Sequence, residues 1–426
     1  MKVLILGATG FIGSALLDRL ASDGHKVTGL GRNVTRARLK RPEAQWLAAN
    51  LAHMRDAGDW RPLIESHDVI VNCAGALQDG LADDVAATQE TAMLALYAAA
   101  KGSPVRIVQI SAPRGSAGSD SAFLATKFRA DEALAASGIP HVILRPMLVL
   151  GRNAHGGTAL LRALAALPFV TPLVHAQARV ETVALSDVAE AVSAAVAGLM
   201  PEGSDFVLGH GEPPTLAELV ALHRQWLGLR AARTISLPPA LAAPVGLLAD
   251  LAGRLGWRSP LRSTALSVMA GGVSAKGGAH AKVPLLSARQ SLAANPSGVQ
   301  DLWFARLYLL KPLMIVGLSL FWLLSGLIPL FELDAARQHF LRFLGHAPAT
   351  TLTLATCIAD IALGIAVLVR PWARRALVSM LGLTVAYLAS ATLVEPELWA
   401  DPLGPLVKVL PSLLLTLATL AILDER

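Results

Sequence analysis

From Pro312 to Phe331 the chain runs for 20 residues without a charged side chain. Three similar runs follow: Thr351–Val369 with only Asp360 charged, Ala376–Val394 with none, and Leu403–Leu423 with only Lys408. At 1.5 Å per residue, each is long enough to cross a hydrocarbon layer of about 30 Å. A soluble bundle would place polar residues along one face of each helix, and these runs have no such face. Residues 301–426 are therefore expected to form an all-α four-helix transmembrane bundle, with spans at about 312–331, 351–369, 376–394 and 403–423. A hydrophobic content of 54% and a mean hydropathy of +0.51, both high for a soluble chain, agree.

The loops predict an orientation. Arg370-Pro-Trp-Ala-Arg374-Arg375 between the second and third runs is basic, and Glu395-Pro-Glu397-Leu-Trp-Ala-Asp401 between the third and fourth is acidic. Arg306 and Lys311 precede the first run. Basic loops stay inside, so the N-terminal domain and the C-terminus are expected in the cytoplasm of a multi-pass inner-membrane protein. Arg337 and Arg342 in the first outer loop run against this, with Glu332 and Asp334 close by. A net charge of +6 with only 16% charged residues is too dilute for a nucleic-acid binder. No Cys/His spacing suits a metal, and Cys73 and Cys357 fall in regions of different character, which argues against a disulfide framework.

The first 150 residues read differently. Short apolar runs at Val3–Leu6, Val27–Leu30, Val69–Asn72, Ile107–Ile110 and Val142–Leu144 alternate with helical stretches, which predicts an α/β doubly wound parallel sheet of Rossmann type. Gly7-Ala-Thr9-Gly10-Phe11-Ile12-Gly13 follows the first strand and opens a helix at Ser14–Leu20. Gly7 allows the tight turn, Gly10 lets a diphosphate approach the backbone, and Gly13 lets the helix pack on the strand. The anion then meets the N–H groups of a helix N-terminus. The second strand ends Gly29-Leu-Gly31-Arg32-Asn33, with Arg36 and Arg38 beyond. An acid there selects NAD(H) through the ribose hydroxyls, whereas a guanidinium can clamp a 2′-phosphate. The reading favours NADP(H), with NAD(H) as the alternative. Asn50-Leu51 and Cys73-Ala74-Gly75 stand where adenine and nicotinamide-ribose contacts would fall.

The glycine spacing, Asn72-Cys-Ala-Gly75, Ser111 and Leu144-Arg145-Pro146 resemble the short-chain dehydrogenase/reductase superfamily over about residues 1–300. The closer likeness is to its atypical members, which are NAD-dependent epimerase/dehydratase-like or complex I 39-kDa-subunit-like. The last part of the chain, particularly Asp401-Pro-Leu-Gly-Pro-Leu-Val-Lys-Val-Leu-Pro411, resembles the DoxX-like four-helix membrane family. The resemblance divides the chain into a dinucleotide-binding domain at 1–150, a substrate-side region at 151–300 and a membrane domain at 301–426. It also implies a Ser, a Tyr and a Lys as catalytic residues, the Tyr exchanging a proton with substrate and the Lys holding the nicotinamide ribose. Ser111 and Lys127 occupy two of those places, and Phe123 occupies the tyrosine's. Phenylalanine has no proton to give. Asp120, Ser121 and Thr126 are the alternative donors nearby, and Tyr97-Ala-Ala-Ala-Lys101 reads as a chance match on a helix outside the sheet.

Other residues carry narrower expectations. Thr215-Leu-Ala-Glu218 reads as a helix-capping box, Asp187 as a cap of the helix that follows it, and Gly271–Gly278 as a loop or hinge. Arg145 contacts substrate or braces the sheet. Leu237–Ala249 covers the substrate cleft or else rests on the membrane. Asp360 and Lys408 pair with each other, or else form a proton or quinone site. Two functions are open. One is an oxidoreductase or epimerase-like enzyme acting on a small, lipophilic, quinone-like substrate. The other is a non-catalytic nucleotide-binding module that stabilises or regulates a membrane-protein partner.

Overall fold

The computed structural model describes residues 1–424 except 76–78, 81–83, 115–121, 264–271, 274–278, 281–282 and 403. Asp120, Ser121 and most of Gly271–Gly278 lie outside the described residues. Contacts divide the chain into two units, Met1–Asp250 with Ser259–Ala305, and Leu251–Arg258 with Arg306–Arg426.

The first unit is built on strands β1 (Lys2–Leu6), β2 (Lys26–Gly31), β3 (Gln45–Ala48), β4 (Val69–Asn72), β5 (Arg106–Ile110) and β6 (His141–Pro146). These lie in the order 3-2-1-4-5-6 in a sheet that two later strands, Ser204–Leu208 and Ala279–His280, extend to eight. Every pairing is parallel. The alternation of a strand sorts its side chains between the two faces. Val3 and Ile5 face helix α1 (Phe11–Ser22) and the helix Leu185–Val196, through Leu16, Leu17, Val188 and Val192. Leu4 and Leu6 face the other layer, which contains Trp60, Met93, Leu96 and Leu134. Both faces are covered, so β4 and β6 are buried along their whole length. In register, Leu6 stands opposite Leu30 and Asn72, Asn72 opposite Gln109, and Ile110 opposite Leu144. The residues after these strand ends therefore gather on one edge, at the switch point between β1 and β4.

In the region after β6, the capping box forms as expected. Thr215 Oγ1 accepts from the Glu218 amide at 3.1 Å, and the Glu218 carboxylate accepts from the Thr215 amide at 2.7 Å. Asp187 differs from its expected role. The helix Leu185–Val196 has no side-chain cap, and Asp187 accepts the Leu286 amide at 2.7 Å, tying a distant loop to this helix. The stretch Leu237–Ala249 is mostly a helix, Pro239–Arg254, with Leu241, Leu247 and Leu248 61–69% exposed.

Among the described residues, three helices are long and apolar enough to cross a membrane: Val299–Phe331, His346–Ala366 and Arg370–Val394. The first starts well before Pro312, because Arg306 and Lys311 do not interrupt a helix. The fourth run folds as a shorter helix, Val409–Ala421, about 20 Å long at 1.5 Å per residue, after turns at 405–408. The first two helices cross closely on small residues. A Cβ on Gly326 would sit 2.5 Å from the Cys357 carbonyl oxygen, and one on Gly364 would sit 3.0 Å from the Ser319 carbonyl. At one end of the second unit Lys311 and Arg370 donate to the Leu423 carbonyl at 3.0 and 3.3 Å, and Arg374 pairs with Asp424 at 3.2 Å. Arg342 pairs with Glu395 between the two loops expected outside. Asp360 bonds to Ser325 and Tyr387, not to Lys408, which is exposed at the start of the last helix. The expected Asp360–Lys408 pairing is thus corrected: neighbouring hydroxyls satisfy the buried carboxyl.

Candidate dinucleotide site

The glycine loop has the shape that a diphosphate requires. Gly7 has φ +72°, a conformation that side chains disfavour, and a Cβ there would lie 3.0 Å from the Ala74 backbone. A Cβ on Gly13 would lie 2.3 Å from the Gly7 carbonyl oxygen, so any larger residue would push α1 off the strand. Gly10 is the extended residue before α1, its amide donates to the Gly7 carbonyl at 2.9 Å, and its Cβ position is 3.0 Å from that oxygen. Among the described residues, no side chain caps α1 and no acid occupies its first turn. The helix therefore presents its first N–H groups and positive dipole end to an anion. Ile12 packs into the core below, and Phe11 lies against Gly151 and 6.0 Å from the His155 ring. The residues present fit a dinucleotide diphosphate.

The base-side residues follow. Thr9 packs on Gly31, whose Cβ position is 3.0 Å from Thr9 Cγ2. The loop and the end of β2 thus sit together, with Arg32 exposed directly after Gly31. Arg36 is also exposed, whereas Arg38 donates to the Trp46 carbonyl at 3.2 Å. Asn50 caps a short 3₁₀ turn, Leu51–His53, by accepting the Ala52 amide at 3.3 Å.

The third group lies past β4 and β5. Lys127, on the helix Ala122–Ala136, is buried and donates from Nζ to the carbonyls of Ile110 at 3.1 Å and Ala74 at 3.4 Å. Its Nζ lies 3.7 Å from the Cβ position of Gly75, so Ala74, Gly75 and Lys127 meet. Burial lowers the Lys127 pKa below the ordinary lysine value, and Asp131 opposes that shift. Phe123 is half-buried one turn earlier, and Thr126 donates to the Phe123 carbonyl at 3.2 Å.

Ser111 is bound inward. Its hydroxyl donates to Asp131 and accepts from Arg145 at 3.1 Å. Arg145, 2% exposed, also holds Asp131 at 2.8 Å, the Ala112 carbonyl at 2.9 Å and both oxygens of Asp205 at 2.6 and 2.9 Å. Gln109 connects Asp131 to Asn72, and Asn72 Oδ1 accepts the Ala74 amide at 3.0 Å. Buried charges are tolerated when they are paired and hydrogen-bonded in this way. Arg145 is therefore a brace. Sequence reasoning missed Gln109, Asp131 and Asp205. The available signals were a glutamine inside an apolar strand and an acid one helical turn after Lys127. Tyr97 is buried in the core, its hydroxyl has no hydrogen-bond partner among the described residues, and burial pushes its pKa far up. It donates no proton to the crevice.

Comparison with known proteins finds two family matches along the chain. Residues 3–209 match the NAD dependent epimerase/dehydratase family, and residues 319–417 match the DoxX-like family. A Mycobacterium tuberculosis protein, Rv2047c, is 27% identical over 177 residues, which is 39% of this chain and 17% of that protein. The chain thus spans under a fifth of that relative's length. A candidate epimerase from Burkholderia cenocepacia J2315 shares the fold, with 18% identity, TM-score 0.50, and coverage of 70% of this chain and 98% of its own. The Bordetella bronchiseptica enzyme WbmH, solved with NAD+, is 24% identical over 56% of this chain and 86% of its own, at TM-score 0.46. From the glycine loop to the last apolar helices, the chain joins an NAD dependent epimerase/dehydratase-family domain, matched over residues 3–209, to a DoxX-like domain, matched over residues 319–417.

Proposed function

We propose that the N-terminal unit holds NADP(H) at the cytoplasmic face of a membrane anchored by the DoxX-like unit, and that holding the cofactor, not tyrosine-type proton transfer, is its task. One observation carries this reading. The cradle for the diphosphate is complete, while Phe123 replaces the proton donor and the proton of Ser111 is committed to Asp131. A bound dinucleotide supplies or accepts hydride. The residues here would bind its diphosphate at Gly7–Gly13, its 2′-phosphate at Arg32 and its nicotinamide ribose at Lys127. Such a module would stabilise or regulate a membrane-protein partner. The gathering of Lys311, Arg370 and Arg374 with Leu423 and Asp424 at one end supports four crossings with the C-terminus inside.

The position of Lys127 beside Gly75 favours a second reading, in which the unit is a reductase or epimerase-like enzyme acting on a small lipophilic substrate. The experiment that separates the two uses the purified full chain with NADPH or NADH and a panel of ketones and quinones. Tight NADPH binding without turnover is expected. Turnover by the wild-type chain would replace the holding role with the enzymatic one.

A further inference from the structure

The helix Pro239–Arg254 is built the wrong way round for a helix in water. Its packed side holds small residues, Gly246, Ala249 and Gly253, all of them buried. At about 100° per residue these three fall together, and Leu241, Leu248 and Leu251 fall on the opposite side with Leu247 beside them. Each of the four leucines is more than half exposed. No charged residue occurs from Leu237 to Ala249. The one acid of the helix, Asp250, is paired with Arg262 at 3.1 Å, and Arg254 is exposed at its end. Single exposed leucines are ordinary, but a continuous outward stripe over about three turns marks a surface that meets something apolar.

What the helix runs into says what covers that stripe. Leu251–Arg258 belongs to the same unit as the apolar helices. The Trp257 amide donates back to the Ala252 carbonyl at 3.0 Å, so the tryptophan folds onto the turn that carries Leu251. Trp257 Nε1 donates to the Leu368 carbonyl at 2.6 Å, and the Arg370 amide donates to the Leu255 carbonyl at 2.9 Å. The Arg370 guanidinium and the Lys311 ammonium stand 5.4 and 5.9 Å from the centre of the Trp257 ring. Lys311 is the last charge before the first apolar run, and Arg370 opens the helix Arg370–Val394. A tryptophan among basic residues at the ends of apolar helices marks the headgroup level of a bilayer. The leucine stripe therefore begins where the bundle enters the lipid.

We infer that Pro239–Arg254 lies in the surface of the membrane that the bundle crosses, with Leu241, Leu247, Leu248 and Leu251 in the acyl boundary and Arg254 among the headgroup phosphates. A helix with one wide apolar face and a basic residue at its edge takes this position, its apolar side about 5 to 10 Å into the boundary. Small residues on the packed side and leucines on the outer side are then the arrangement that lipid requires. Neither family match, over residues 3–209 or 319–417, includes this helix. The inference rests on the reading that the bundle spans a membrane, and it is independent of what the nucleotide unit does.

The test uses the full chain, one copy per nanodisc of phosphatidylcholine and phosphatidylglycerol, with a nitroxide attached at Leu248→Cys or at Leu241→Cys. Cys357 is buried and burial pushes the Cys73 thiol up to about 12, so the introduced thiol is the one that labels. Collisions with oxygen, which concentrates in lipid, are compared with collisions with a nickel chelate, which stays in water. Leu324→Cys on the bundle and Leu199→Cys, both exposed positions, supply the lipid and water references. Oxygen should dominate at Leu248 and Leu241 as it does at Leu324, and nickel should dominate at Leu199. Adding Leu247→Glu with Leu251→Glu, which leaves the packed side of the helix untouched, should invert the preference at Leu241 to the water value. Nickel dominance at Leu248 and Leu241 while Leu324 stays in lipid would overturn the inference and spare the bundle, whereas nickel dominance at Leu324 would overturn both. Shielding from both reagents would show protein over the stripe, and shielding that appears only with two copies per disc would assign the stripe to a second copy of the chain. Either result, or a preference unmoved by the two glutamates, would overturn the inference as well.

Discussion

In the proposed reading, cofactor choice turns on Arg32. It follows Gly31 at the end of β2, beside Thr9 of the diphosphate loop, where an acid would instead hold ribose hydroxyls. The wild-type chain should bind NADPH at least about tenfold more tightly than NADH, the worth of a charge-assisted contact. Arg32→Asp should abolish or reverse that ratio in equilibrium titrations, and equal affinities in the wild type would remove Arg32 from the account. Phe123 bears on catalysis in the same way. Phe123→Tyr places a phenol one turn from Lys127 and should create measurable carbonyl reductase activity. General acid catalysis is worth about 10² to 10⁴ in rate, and the gain should vanish when Lys127→Ala is added. If an active wild type is unchanged by Phe123→Tyr, the proton comes from another group. The tight glycine loop was legible in the sequence because it depends on local spacing, whereas the roles of Lys127 and Phe123 rest on the resemblance. The inward turn of Ser111 was not legible, since it depends on Asp131, Arg145 and Asp205 meeting across two strands and a helix.

At the scale of elements, the central strands could be read because each is an apolar run bounded by turns, and parallel register then placed their ends together. The short β3 and the two strands added beyond β6 give weak patterns and were not among the runs identified. The last apolar run predicts a full span, yet Gly404 and Pro405 stand near its start, and its helix starts only at Val409. The helix Leu216–Trp226 contributes a testable pH dependence. His223, 1% exposed, is bonded through Nδ1 to the Leu219 carbonyl at 2.8 Å, and burial pulls its pKa from 6.5 to about 4. Below pH 6.5 the unfolded chain takes up this proton first. The contribution to stability is therefore complete above 6.5 and is lost as pH falls toward 4, amounting to about 3 kcal/mol. Denaturation followed by Trp226 emission should show this loss, and His223→Gln, which does not titrate, should flatten that part of the curve. A profile identical in both proteins would mean that His223 is not the group responsible.

At the scale of the whole molecule, topology and cofactor holding meet. A reporter fused after the C-terminus should be active only if it works in the cytoplasm, and one inserted near Trp399 only if it works outside. A C-terminus found outside would mean that Val409–Ala421 does not cross. The central claim is that the N-terminal unit holds a dinucleotide on its glycine loop. The most direct test titrates the purified full chain with NADPH, following the enhancement of nicotinamide emission, in parallel with Gly10→Glu. That carboxylate would bring bulk and negative charge to the anion site, 3.0 Å from the Gly7 carbonyl at its Cβ. Saturable NADPH binding in the wild type, lost in a Gly10→Glu protein with an unchanged circular dichroism spectrum, is the predicted result. No binding by the wild type, or equal binding by both proteins, would contradict it.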